Sequence, residues 1–312
     1  MNAILKQQKQ SPYPITQLEL SHSTLDSYHS CPRKLEFRKF YGINTRGHSL
    51  AGNGGIALHD ATGVYLKTRS HEAATLELML KYPIDLCSNP LWKWSLEACY
   101  SVLLQIIKFL DEHSEFELAT ILDKPAIEVP FLINIKHDIS DFIPVVYRGY
   151  MDYVFYNRME NSYLVFDLKN TTSTILDHTP KYRFDTQCLP YALVLQRALG
   201  LDFEYLDVNY LVTYVNLMEP RIQLLEFEKT RNDVFEFAQD LYVDLIAMKT
   251  YYDTGWFPRR SSACMGYNRQ CNHYNICESR KHSTIKEMLK SIEQQEQEPF
   301  EPWITLDLEL IK

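Results

Sequence analysis

No run in the 312-residue chain reaches the roughly 18 consecutive apolar residues of a membrane-spanning helix. The opening residues, MNAILKQQKQSPYPITQ, lack the apolar stretch of a secretory signal. The expectation is therefore a soluble, cytoplasmic protein with no membrane partner. Positive charge is not in excess: 32 Lys and Arg against 40 Asp and Glu leave a net charge of −8. That excludes a surface coated in basic residues, though not a local basic channel. There is no internal repeat, and low complexity is confined to the short run EQQEQEPFEP from Glu293. The seven cysteines are odd in number and come without a secretion signal, which disfavours a disulfide framework and brings metal or cluster ligation forward.

What is present is an ordinary globular composition, 46% hydrophobic and 23% charged. Ser23, with Asp26 three residues on, resembles a capping box, opening a helix that turns Leu25, Tyr28, Leu35 and Phe37 inward and breaks near Pro32, beside Cys31. AGNGGIALHDATGVYL from Ala51 reads as a glycine-rich turn leading into a helix that carries His59. A helical pattern runs from Trp92 to His113. Four strand-like runs follow, from Ala126, Ile143, Asp152 and Tyr163, the last two joined as a hairpin by the polar RMENS. A helix from Phe184 to Leu199 ends at Gly200. Strands from Phe203 and Arg221 precede a helix from Asn232 to Tyr251. Mixed strands between helices predict an α/β or α+β sandwich around one central sheet.

The run YLVFDLKN, Tyr163 to Asn170, ends an apolar strand with a carboxylate and an ammonium two residues apart. Alternation puts Asp167 and Lys169 on one face and Leu168 on the other. The antiparallel return brings Asp152 near Asp167. Two such carboxylates repel unless a cation or a proton joins them, and oxygen donors suit Mg²⁺ or Mn²⁺. His59 can add a nitrogen ligand. Lys169 beside a metal can orient water or stabilise charge developing on a phosphate. Taken singly, each residue also has an ordinary explanation: a strand start for Asp152, a surface or core histidine for His59, a strand-end ion pair for Asp167 and Lys169.

Four motifs in order change that balance. GGIALHDA, YRGYMDYVF, VFDLKN and QCLPYALVL together resemble the PD-(D/E)xK nucleases of the RecB-like branch. The resemblance implies the restriction-endonuclease-like α/β core, with a central mixed sheet flanked by helices. It implies His59, Asp152, Asp167 and the backbone carbonyl of Leu168 as metal ligands, and Lys169 as the catalytic lysine. Gln187 and Tyr191 would orient the site or touch the DNA strand from one helix face, with Pro190 between them as a departure. Its substrate class is DNA, single-stranded or at ends.

Cys264, Cys271 and Cys277 are spaced too widely for a zinc knuckle, whereas an iron–sulfur cluster takes four thiolates around a larger object. Cys31 would be the fourth. One cysteine before the nuclease motifs and three after them also resembles the iron–sulfur members of the branch, the AddB nuclease domain and the CRISPR-associated RecB-like exonucleases. Asn268 stands where their C-x₂-C pair begins. Two alternatives stay open: reduced thiols, and a zinc site that includes His273. Cys87, Cys99 and Cys188 fall in apolar patterns and read as core. Tyr182 and Phe184, beside Lys181 and Arg183, are candidates to stack bases.

The domain reading is an extension over 1–19 and a nuclease domain over 20–280. That domain holds a helical insertion at about 60–120 and a 4Fe–4S module from 20–45 and 256–280. A polar tail over 281–312 would pack on the body or bind a protein partner. The function expected is a metal-dependent DNA exonuclease in recombination, repair or replication; the alternative is a catalytically silent DNA-binding or assembly subunit.

Overall fold

The computed structural model describes residues 13, 15–43, 50–83, 93–172, 179–202, 204–266, 269–279 and 300–310. In chain order the elements are β1 (Leu18–Leu20), α1 (His22–Ser30), α2 (Pro32–Leu35), α3 (Leu50–Thr68), α4 (His71–Lys81), α5 (Leu96–Glu112), β2 (Phe116–Leu118), β3 (Thr120–Ile121), β4 (Lys124–Pro125), β5 (Ile127–His137), β6 (Val145–Asn157) and β7 (Ser162–Thr171). There follow α6 (Thr179–Arg183), α7 (Leu189–Leu199), β8 (Tyr205–Tyr214), β9 (Arg221–Thr230), α8 (Arg231–Thr254), β10 (Met265–Gly266), β11 (Arg269–Gln270), α9 (Tyr274–Ser279) and β12 (Ile304–Leu310). No helix among the described residues is long and apolar enough to cross a membrane.

The chain divides into two compact units: His48–Phe131 with Tyr150–Phe235, and Met1–Gly47 with Leu132–Gly149 and Glu236–Lys312. The first is an α/β unit around a mixed sheet. There β6 and β7 pair antiparallel from Tyr153↔Phe166 to Asn157↔Ser162, and β7 runs parallel to β8 with Asp167 beside Tyr210. β9 returns antiparallel along β8. One face of this sheet buries Phe155, Leu164, Phe166, Leu168 and Leu211 against α3, α4 and α5. The odd-numbered positions of β7, Asp167 and Lys169 among them, are left for the opposite face. On that side Tyr191 of α7 meets Phe131 edge-on at 5.7 Å, and Cys188 Sγ lies 3.3 Å from the Tyr210 hydroxyl.

In the other unit β1 runs parallel to the start of β6, Leu18 beside Val145. β12 is the neighbour of β5, with Asn134 donating to Asp307 at 2.9 Å. The acidic end of the chain is thus a sheet strand over Ile304–Leu310, whereas the polar helix expected before it and Cys87 both lie outside the described residues. Glu36, fully buried, accepts from the Tyr13 hydroxyl at 3.1 Å and lies 3.9 Å from Arg33 Nε. A buried carboxylate needs such partners.

Several expectations are corrected. The N-cap of α1 is Ser21, whose hydroxyl accepts from Thr24 N, rather than Ser23. The runs from Ile143 and Asp152 are one 13-residue strand, because nothing between them lacks a ladder donor. The glycines at 52, 54 and 55 lie inside α3 rather than in a turn before it. A Cβ at Gly54 would sit 3.0 Å from the Trp94 ring, so glycine here serves close packing. α5 begins at Leu96 behind its cap Ser95, and α7 at Leu189, five residues later than the pattern indicates. Pro190 explains the last case: it occupies the first turn, where its missing N–H costs nothing. Tyr182 is buried and stacked on Tyr210 at 4.8 Å, so it is not available to a base.

Candidate active site

Three elements of the α/β unit converge on one polar cluster. Asp152 and Asp167 each adjoin the pair Tyr153↔Phe166, the last of the antiparallel β6–β7 ladder. Both carboxylates are buried. Asp152 Oδ2 accepts from the Leu168 backbone N–H at 2.9 Å, a bond that ties the aspartate of one strand to the core-facing residue of the next. Lys169 Nζ lies 2.5 Å from Asp167 Oδ2 and donates to Gln187 Oε1 at 2.7 Å. Gln187 Nε2 donates to Asp167 Oδ1 at 3.1 Å and reaches the Tyr191 hydroxyl at 3.2 Å. The Tyr191 hydroxyl donates in turn to the Tyr150 carbonyl at 3.0 Å. Gln187 sits before the α7 cap rather than on the helix, so the two residues meet through a turn held by Asp185, whose carboxylate accepts from Gln187 N at 2.8 Å.

From α3, His59 Nε2 lies 2.8 Å from the Leu168 carbonyl oxygen, and its Nδ1 is 3.5 Å from both Asp152 Oδ2 and Glu128 Oε1. The Tyr153 hydroxyl donates to the His59 carbonyl at 2.9 Å. All the residues singled out for this site, His59, Asp152, Asp167, Leu168, Lys169, Gln187 and Tyr191, therefore stand in one network.

The charges respond to burial first. Burial pushes the Asp167 carboxyl up, to about 6, against the pull of Lys169 and with the repulsion of Asp152 adding to it. Asp152 is raised by burial as well, against His59 and Lys169. For Lys169 burial disfavours the ammonium, yet Asp167 and Asp152 outweigh it and hold the group charged. His59 follows the same pattern: burial opposes its charge, and Asp152 and Glu128 lift it to about 9.

Glu128 is the residue that sequence reasoning did not single out. His59, Glu128 and Asp152 offer donor atoms within 4.8 Å of one another. Glu128 lies inside β5 with φ +49, a left-handed conformation that is uncommon for a residue other than glycine. Its effect is visible in the strand: Ile127 packs in the core with α3, while Phe131 meets Tyr191 on the other side. Residues four apart share a face in an unbroken strand, so the alternation reverses between them. The signal in the sequence was one acidic residue inside the apolar run AIEVPFLINI.

Imidazole nitrogen, carboxylate oxygens and a peptide carbonyl form a donor set suited to Mg²⁺ or Mn²⁺. Asp167 Oδ2, buried, faces the Lys169 ammonium. The residues fit a divalent ion, which would supply Lewis-acid stabilisation of a phosphate and activation of water.

The second cluster lies in the other unit. Cys31, Cys264, Cys271 and Cys277 line one cavity together with Arg33, Lys34, Phe37, Arg260 and His273. Arg260 N donates to Cys31 Sγ at 3.4 Å, and Arg33 Nη1 approaches Cys277 Sγ at 3.8 Å. Burial, then the charges of Arg38 and Lys34, pushes His273 down to about 4, so its imidazole is neutral. Cys99 and Cys188 are fully buried elsewhere.

No curated protein matches the sequence. Among solved structures, one described as "Crystal structure of SSO0001" aligns with a TM-score of 0.35 and 12% identity, covering 88% of this chain and 91% of that one. A family model for the PD-(D/E)XK nuclease superfamily matches residues 19–278. Over that span, which holds both clusters, the chain belongs to the PD-(D/E)XK nuclease superfamily.

Proposed function

We propose that this protein is a metal-dependent DNA exonuclease of the RecB-like branch, acting on single-stranded ends. The observation that carries the reading is the convergence of His59 and Asp152, tied to Leu168, with Asp167, Lys169 and Gln187 on the adjoining residues of β7 and the turn before α7. His59, Asp152, Asp167 and the Leu168 carbonyl would hold Mg²⁺ or Mn²⁺. Lys169 would contribute positive charge beside the phosphate and orient the attacking water. Gln187 holds that ammonium in place, and Tyr191 buttresses Gln187. A network complete in every member supports catalysis over the alternative of a silent DNA-binding or assembly subunit, since a subunit without chemistry has no use for a buried lysine among carboxylates.

Cys31, Cys264, Cys271 and Cys277 would hold a 4Fe–4S cluster that joins segments 20–45 and 256–280 of the nuclease domain. Four cysteines lining one cavity, with the Arg260 N–H on Cys31 Sγ and the Arg33 guanidinium near Cys277 Sγ, support that reading. The neutral His273 in the same cavity favours zinc as the second reading. Iron and acid-labile sulfide in anaerobically purified protein support the cluster; stoichiometric zinc without iron replaces it.

The activity is tested on end-labelled linear and closed circular single-stranded DNA, in Mg²⁺ and in Mn²⁺, with Lys169→Ala as control. Degradation of the linear strand alone, lost in the variant, supports the exonuclease. Cutting of the circle makes the enzyme an endonuclease. Folded, metal-supplied protein that cuts neither overturns catalysis in favour of the silent subunit.

A further inference from the structure

Phe184 is 79% exposed, although it lies only three residues before Gln187. Lone exposed aromatics are common and need no account of their own. The backbone beneath this one is unusual. Lys229 of β9, itself buried, donates from Nζ to the Arg183 carbonyl at 2.7 Å and to the Asp185 carbonyl at 3.0 Å. A single ammonium therefore grips the carbonyls of the two residues that flank Phe184. Burial pushes this ammonium below the usual lysine range, which marks the position as a costly one for a charge.

The rest of the turn is tied as firmly. Asp185 N donates to the Tyr182 carbonyl at 3.2 Å, and the Asp185 carboxylate receives Gln187 N at 2.8 Å. Tyr182 anchors the preceding helical turn by stacking on Tyr210, and the Arg183 guanidinium lies over the Phe227 ring at 5.5 Å. The result is a rigid turn that presents one solvent-facing ring, with the exposed cations Lys181 and Arg183 beside it. Three residues of chain span at most about 11 Å, so the ring stands within that reach of the Gln187 backbone. Gln187 is the residue that holds both Lys169 and Asp167.

We infer that Phe184 is a base-stacking platform for single-stranded DNA, seating a nucleotide adjacent to the scissile phosphate while Lys181 and Arg183 take flanking phosphates. The inference rests on the nuclease reading and adds to it a substrate contact. An aromatic face accepts any base, so the platform would guide a strand without selecting sequence. Because Lys229 fixes the backbone in advance, little further ordering is needed when the strand arrives. The platform would serve an unpaired strand, whose bases are free to stack on a side chain, and not an intact duplex.

The test measures binding of a fluorescent single-stranded oligonucleotide by anisotropy, with EDTA to prevent turnover, for wild type, Phe184→Ala and Phe184→Tyr. The same proteins are assayed for cleavage with Mg²⁺, beside Lys169→Ala. The expected result is binding weakened about 5- to 100-fold in Phe184→Ala, the usual span for loss of one base–aromatic stack, and restored in Phe184→Tyr. Oligonucleotides with a single abasic site, moved one position at a time from the cut end, should bind wild type more weakly at one position and leave Phe184→Ala unaffected there. Equal binding and equal cleavage by wild type and Phe184→Ala, with Lys169→Ala inactive, overturns the platform and leaves the nuclease intact. Wild type that neither binds nor cuts single-stranded DNA overturns both readings. Because the side chain is exposed, melting temperatures should agree across the three proteins; a large loss in Phe184→Ala would make the ring structural and overturn the proposal.

Discussion

The carboxylate–lysine site and the cysteine cavity are both polar clusters, yet they are built in opposite ways. In the first, the charges face partners supplied by the protein. Asp167 has Lys169, Lys169 has Gln187, and Asp152 has the Leu168 N–H and His59. These contacts draw on β6, β7, α3 and the turn before α7, with the β6–β7 pairing as the frame that holds Asp152 against Leu168. In the second, residues from near the two ends of the sequence line one cavity, and among the described residues the sulfurs receive the Arg260 N–H and the more distant Arg33. A site that satisfies itself should keep its shape without its metal. A cavity whose main donors are left for a ligand should hold its walls together only when that ligand is bound.

The sharpest way to break this contrast is at Lys169. Lys169→Ala should lower the rate of cleavage by about 10³-fold, in the range seen when a preorganised electrostatic contact to the transition state is removed. Circular dichroism should remain native, because the β6–β7 ladder supplies the geometry. Loss of the fold instead would show that the ion pair, and not the register, organises the site.

Next in size is the cysteine cavity. With the proposed cluster in place, Cys271→Ser should release it and cost about 3–5 kcal/mol of stability, comparable to breaking a cross-link between distant chain segments. Denaturant unfolding and metal analysis check this, with Cys99→Ser, a core cysteine, as the comparison. Equal losses in the two variants would remove the distinction drawn between ligand-dependent and self-sufficient clusters.

Glu128→Gln should weaken Mn²⁺ binding about 10- to 100-fold, the range for groups that orient or supplement metal ligands. Isothermal titration is the measurement. An unchanged affinity would confine Glu128 to reversing the alternation of β5.

The smallest effect concerns His29, which the Asp244 carboxylate holds above its ordinary range through a 2.6 Å contact, against a smaller opposing contribution of burial. A histidine raised on folding stabilises fully below its unfolded pKa, and the contribution disappears as pH rises through the folded value. His29 is more than half exposed, so the contribution is under about 1 kcal/mol. Unfolding curves taken from pH 5 to 9 should lose this increment on the alkaline side in wild type and lack it in His29→Ala.

How much was legible in advance differs between elements. The hairpin of β6 and β7 was readable because period-two alternation and a polar turn are local signals. The long amphipathic pattern gave α5 for the same reason: Cys99, Val102, Leu103, Ile106, Ile107 and Leu110 are all buried. Helix starts were misplaced where a proline or a cap, rather than periodicity, sets the boundary, as at Pro190 and Ser95. The glycines of α3 read as a turn because glycine weakens a helix. Their reason, the Trp94 ring packed against Gly54, is a contact forty residues away in sequence.

The sequence by itself determined the strand faces, the adjacency of Asp167 and Lys169, the pairing of their strand with that of Asp152, and the chemistry that carboxylates and lysine can do together. These follow from alternation, turn composition and the charge of each side chain, all properties of short segments. Only the tertiary structure decided that His59 reaches the Leu168 carbonyl, that Glu128 turns toward His59 where the alternation of β5 reverses, and that a buried Lys229 holds Phe184 in the open. Each of these depends on packing between elements far apart in the chain, and on backbone conformations such as the positive φ at Glu128 that local preference disfavours and the surrounding fold imposes.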